Sequence, residues 1–276
     1  MTAPAAAPYY RRFSLGQRYL HAVLLSTFLG LALTGLTLRF SAAHWAATFA
    51  HIVGGFAAIR FFHLFCAVLL TAAFLAHVGN VVYRIAAKRE LDLLWGPNSM
   101  VPRWKDFVDF YRNLKYFLWL GPKPKFDRYA YWEKVDYWAV FWGMGIIGFS
   151  GYAMWFAPFF ARVFPGSWLN VALLIHGEEA ILAVAFIFSI HFFNGHLRPD
   201  SFPMDVTIFT GTQSEEEFKH RHPEEYGRLA HSGELEKLRR EPPPLWLRNF
   251  ARIFGTAAIL TGFVLLALTV IAFWNE

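Results

Sequence analysis

Cysteine occurs once in the 276 residues, at Cys66 inside an apolar run. One thiol closes no internal disulfide and holds no iron-sulfur cluster. Without a Cys-x-x-Cys-His sequence there is also no attachment point for a covalent c-type haem. No glycine-rich nucleotide fingerprint occurs, so substrate chemistry of that kind falls to other subunits. Charged residues make up 17% of the chain, against 56% hydrophobic and 19% aromatic. With a mean hydropathy of +0.32, this composition excludes an ordinary soluble domain. The net charge of +6 is not gathered in a compact basic domain, so no nucleic-acid partner is expected.

What is present is long apolar runs. Crossing a hydrocarbon layer of ~30 Å takes about 20 helical residues, and segments near 19–38, 61–83, 137–160, 169–193 and 253–274 qualify. All five are expected to be helices, because lipid offers backbone groups no outside partner. Of the 26 Lys and Arg residues, Arg39, Arg60 and Arg162 alone fall on the side holding the loops after the first and third runs. This asymmetry places the N-terminus (1–18), the 86–134 loop and the 199–252 segment in the cytoplasm of a bacterial inner membrane. Arg11-Arg12 before the first run and "SAAHWAA" after it have the look of an export signal. The length of the run favours an uncleaved first span instead.

The runs are internally duplicated. "QRYLHAVLLSTFLGLALTGLTLRF" (17–40) aligns without gaps on "EKVDYWAVFWGMGIIGFSGYAMWF" (133–156), matching Thr34-Gly35 with Ser150-Gly151. In the helix that follows each, His63 matches His176, and "HVGNVVYR" matches "HFFNGHLR" after a one-residue offset. The latter pair aligns His77, Asn80 and Arg84 with His191, Asn194 and Arg198. Two hairpins repeated in one orientation imply a pseudo-twofold axis along the membrane normal.

An imidazole in lipid needs a partner. Separations of 14 and 15 residues put each helix's two histidines near one face, ~21 Å apart along the axis. A divalent-ion site would gather its ligands within a turn or two. Two bis-histidine haems, one held by His63 and His176 and the other by His77 and His191, account for the spacing directly. Arg60, Arg84 and Arg198 stand within one or two turns of these histidines, as partners for haem propionates or as interfacial anchors. Glu178 and Glu179 follow His176 where a carboxylate needs a partner or water. A third haem would draw on His21 or His196.

These residues carry a family resemblance. "RYLHAVLLSTFLGLALTG", "RFFHLF", "EKVDYWAVFWGMGIIGFSGYAMWF" and "LLIH" with the later His191 resemble the dihaem cytochrome b subunits of membrane formate dehydrogenases and nickel-iron hydrogenases. The chain is also similar to cytochrome b/b6-domain proteins associated with multihaem cytochromes. "KHRHPEEY" (219–226) resembles the cytoplasmic tail of such subunits. The resemblance implies two b haems and a quinone site near the inner one. It nominates His21 with His191 for that inner iron, whereas the repeat favours His77 with His191. The family's quinone pocket uses an Asn just before the third helix, where "RYAYWEK" has Ala130.

The expected architecture is all-α: an integral membrane bundle whose four-helix haem-binding core (19–198) is a duplicated helix pair, plus a fifth membrane helix at 253–276. "RWKDFVDFYRNLKYFLWL" (103–120) is expected to be an interfacial helix, and 214–241 a solvated helical stretch. The expected function is electron transfer between quinone or menaquinone and an extracytoplasmic multihaem cytochrome c or an iron-sulfur or catalytic subunit. The alternatives are a metal-ion or small-solute permease and a passive anchor of a redox complex.

Overall fold

The computed structural model describes residues 7–274. In chain order, helix α1 spans Leu15–Arg39, α2 His44–Val53, α3 Phe56–Ala86 and α4 Trp104–Phe117. Helix α5 runs over 131–155, as Tyr131–Gly143 and Phe149–Trp155 joined by a π-helical turn at Met144–Gly148. Helix α6 is Ser167–Leu197, α7 Glu215–Arg221, α8 Pro223–His231 and α9 Leu245–Trp274. Strands β1 (Tyr9–Arg11), β2 (Thr212–Ser214) and β3 (Arg239–Arg240) complete the main elements.

Four of these helices, α1, α3, α6 and α9, are long and apolar enough to cross a membrane. The third expected span, 137–160, is helical as α5 up to Trp155 but is not among the four. Gly143, Gly145, Gly148 and Gly151, together with its Trp and Tyr rings, dilute its apolar character.

The chain divides into two compact units. The first gathers 20–78, 139–198 and 253–274, and therefore the apolar helices. Its core joins Ala32, Leu36 and Phe40 of α1, Val184, Phe188 and Phe192 of α6, and Ile259, Leu265 and Ala272 of α9. Edge-on ring contacts link Phe28 to Phe188 and Phe40 to Phe273. The last apolar helix is thus part of this core. A Cβ at Gly262 would fall 2.5 Å from the Phe192 ring and 2.7 Å from that of Phe188, so the absence of a side chain lets α9 meet α6. Gly54 and Gly55, at φ 108° and 96°, turn the chain between α2 and α3, a backbone state that costs other residues energy. Helix α3 buries Ile59 alone of its 31 residues. Its hydroxyl at Thr71 accepts from Tyr152 at 2.9 Å, and Phe74 meets Phe141 edge-on.

The second unit collects 7–19, 79–138 and 199–252. Its antiparallel sheet, ordered β2-β1-β3, pairs Tyr10 with Gln213 and Arg239. This small sheet departs from an all-α expectation. Its strands form because 7–14 and 211–214 lie edge to edge, a long-range pairing that local periodicity does not reveal. Arg12, 5% exposed, pairs with Glu225, 2% exposed, and its guanidinium lies 4.7 Å from the centre of the Phe218 ring. Arg128 bonds the other Glu225 oxygen at 2.9 Å, and each arginine also donates to the other's backbone carbonyl. The Arg11-Arg12 pair is therefore built into a strand and a buried ion cluster. Helix α4 turns Asp106, Asp109 and Asn113 inward and leaves Trp104, Phe107, Tyr111 and Leu114 exposed, the pattern of an interfacial helix. The 214–241 stretch begins as α7 and α8, with Ser214 and Glu217 forming a reciprocal cap.

Two expectations follow. Gly262→Leu places a side chain into the Phe188 and Phe192 rings and should cost about 1–3 kcal/mol, read as a lower thermal midpoint in detergent. Gly79→Ala, where an added Cβ meets nothing within 4 Å, should be neutral or stabilising by comparison. The second concerns pH. Burial, then the positive charges of Arg12, Arg221 and Arg128, hold the His222 imidazole well below its ordinary 6.5, against a hydrogen bond to the Asp127 carbonyl. The fold keeps it neutral while the unfolded chain protonates below about 6.5, so stability should fall as pH drops from 6.5, by up to about 1.4 kcal/mol per pH unit. Hydrogen exchange over 215–231 at pH 7.5 and 5.5 should show this, and His222→Asn should flatten the dependence.

Candidate functional site

Helix α1 carries three threonines, Thr27, Thr34 and Thr37, whose hydroxyls donate to carbonyls four residues back. This is how a helix in an apolar setting satisfies a hydroxyl. The Thr34 hydroxyl, committed to the Gly30 carbonyl at 2.6 Å, then accepts from His63 Nδ1 at 2.9 Å. The Leu31 carbonyl lies near His63 as well. In α5 the Ser150 hydroxyl donates to the Ile146 carbonyl at 2.7 Å, and His176 Nδ1 lies 2.9 Å from the Ile147 carbonyl and 3.3 Å from Ser150 Oγ. Gly30, Leu31 and Thr34 are the residues that the repeat aligns with Ile146, Ile147 and Ser150. The two halves therefore set an equivalent hydroxyl against each histidine.

A carbonyl only accepts, so Nδ1 of His176 carries the proton; at His63 the same follows from Thr34, whose own hydrogen goes to the Gly30 carbonyl. Both Nε2 atoms are left with a lone pair for a ligand. The two rings stand with centroids 6.3 Å apart at 75°. Glycine follows the hydroxyl residue in each half. A Cβ at Gly35 would reach 3.2 Å from His63 Cε1, and one at Gly151 3.0 Å from His176 Cε1.

The carboxylates beside His176 are partnered. Glu178 lies 3.8 Å from Arg39, and Glu179 accepts from the Trp142 indole at 3.1 Å.

A second group of histidines forms farther along α6. His191 and His196 have ring centroids 6.4 Å apart at 89°, and both lie near His21. His77 is half-buried on α3. The α6 backbone passes through two π-helical turns, Ile187–His191 and Phe193–Leu197. In a regular helix 14 residues fall about 40° short of four turns and 15 overshoot by about 60°. One π turn takes up one extra residue, so His191 returns to the register that His77 has relative to His63. The second π turn sets His196 beside His191, a five-residue step that a regular helix would swing away.

The three arginines differ. Arg84 is held by Glu90, its Nε at 2.8 Å from the carboxylate; Arg198 is 4% exposed just past the second π turn, and Arg60 is exposed. Ala130, 2% exposed, donates its N–H to Glu133 at 2.7 Å and so caps α5. Among the described residues, no three His, Cys, Asp or Glu side chains gather as a metal-ion site. Scanned against protein-family models the chain matches none, and no curated protein matches it.

Sequence inspection found the histidines but missed the role of Thr34, Ser150 and the Ile147 carbonyl. The signal was there in the repeat, which aligned a hydroxyl-glycine pair in each half. The π turns make a prediction of their own. Deleting Ser189 should straighten that turn into regular helix and leave the thermal midpoint close to wild type, whereas deleting Val68 from the regular α3 should rotate everything beyond it by about 100° and unfold the protein. Thermal melts of the two deletions decide.

Proposed function

We propose that the chain is a b-type cytochrome of a membrane redox complex, carrying electrons between a quinone pool and a redox partner on the opposite side through two haems. The observation that carries this is the His63–His176 pair. Two imidazoles from different helices, each with Nδ1 occupied and Nε2 left with a lone pair, would hold the iron of a haem by their free nitrogens. Bound there, a haem would supply one-electron chemistry at a potential set by its ligands and surroundings.

The chain's own contribution is to bind and orient. Thr34, Ser150 and the Ile147 carbonyl fix the ring tautomers. The second iron belongs at the other end of the histidine interval. There the repeat favours His77 with His191, while the family resemblance nominates His21 with His191. We keep the repeat's pairing, because the π turn at Ile187–His191 returns His191 to the register of His77, with His21 and His196 nearby. Arg198, buried where α6 ends, is the arginine best placed for a propionate.

The orientation expected from lysine and arginine placement puts this second haem toward the cytoplasm, and with it the quinone site. A reduced-minus-oxidised spectrum of the chain purified after haem-replete expression should show a b-type band with two haems per chain. His63→Ala and His176→Ala should each remove the same haem. His77→Ala should remove the other and His21→Ala should leave both; the reverse result would restore the pairing that the resemblance nominates. A chain with no haem band would overturn the proposal; ion-dependent flux without haem would indicate a permease instead, and neither signal a passive anchor.

A further inference from the structure

The hydroxyl contacts at the His63–His176 pair lead one step further. We propose that Thr34 and Ser150 are positioning residues that set the potential and affinity of the haem read between these histidines, each acting through the imidazole it holds; this rests on the haem reading above.

Thr34 lies one helix away from His63, and Ser150 one helix away from His176. Each hydroxyl hydrogen is already donated to its own helix, at 2.6 Å from Thr34 to Gly30 and 2.7 Å from Ser150 to Ile146. Each oxygen can therefore only accept from the histidine. An acceptor on Nδ1–H draws the proton outward and enriches the electron density at Nε2. That makes the imidazole a stronger donor and favours the more highly charged, oxidised iron. Loss of the acceptor should raise the midpoint potential and weaken binding.

The two halves are alike in kind and unequal in degree. His63 meets Thr34 at 2.9 Å, whereas His176 meets Ser150 at 3.3 Å and keeps the Ile147 carbonyl at 2.9 Å. Thr34 should therefore matter more. The glycine after each hydroxyl lets the ring come this close, because a Cβ there would stand 3.0–3.2 Å from Cε1.

The test is a redox titration with optical and electron paramagnetic resonance detection on the purified full chain carrying Thr34→Val, Thr34→Ser or Ser150→Ala. Thr34→Val should raise the potential of one haem, leave the other unchanged, and lower affinity for the first about tenfold. Thr34→Ser should restore both values, because it keeps the oxygen and loses only a methyl group. Ser150→Ala should shift the same haem in the same direction by less. Unchanged potentials in both Thr34→Val and Ser150→Ala, a shift confined to the other haem, or no rescue by Thr34→Ser would overturn the inference while leaving the haem reading intact. A wild-type chain without haem would instead overturn the reading beneath it. In that event ¹⁵N chemical shifts of the histidines in the haem-free chain still test the hydrogen bonds: His63 protonated at Nδ1 in wild type, and a mixed tautomer in Thr34→Val, would uphold them, and identical spectra would refute them.

Discussion

An imidazole placed among apolar helices must have its N–H satisfied by the protein, because hydrocarbon satisfies nothing. Much of the apolar unit follows from that constraint. A helix offers neighbours few free acceptors, since its carbonyls are taken by its own amides. A serine or threonine solves this by donating its hydrogen to a carbonyl one turn back and turning the oxygen outward. Thr34 and Ser150 do so, and His63 and His176 are held in one tautomer as a result. The same device needs a close approach between helices, which is why glycine stands next to the hydroxyl in both halves.

Duplication supplied this arrangement twice, and divergence then acted on the parts less tightly bound by it. The hydroxyl, the glycine and the histidine remain in equivalent places. The stretch between the histidines of α6 has gained a residue, which the backbone absorbs in a π turn. That preserves register at His191, and a second π turn brings His196 alongside. A costly backbone irregularity is retained where it keeps ionisable side chains together. Helix α3 shows the opposite condition, since its regular course leaves all but one residue without full protein cover.

The polar unit obeys different physics. Its "KHRHPEEY" segment is a connected set of charges: Lys219 and Tyr226 meet Glu215, His220 meets Asp200, Arg221 meets Asp205, and Glu225 lies between Arg12 and Arg128. Two arginines around one carboxylate, at the burial seen for Arg12 and Glu225, are tolerable only because the carboxylate and two backbone carbonyls share them. Removing one member of such a set costs about 3–5 kcal/mol. Segments far apart in the chain are thereby tied into one unit.

By itself the sequence determined the apolar helices, their duplication and the identity of the histidines. Each of these is written in local composition, in periodicity or in the comparison of one stretch with another. It also placed the amphipathic character of 103–120, because an amphipathic stripe is a property of consecutive residues. The tertiary structure decided which groups meet. That His63 faces Thr34, that His21 lies by His191 and His196, and that α9 seats Gly262 on two phenylalanine rings depend on helix rotation and approach. Those are set by packing between residues scores of positions apart. Likewise the β1–β2–β3 sheet and the Arg12–Glu225 pair arise from long-range contacts whose energy no single segment carries. The one-residue offset between the halves was legible as a number, but its resolution by a π turn required backbone coordinates, because sequence records an extra residue without recording where the helix accommodates it.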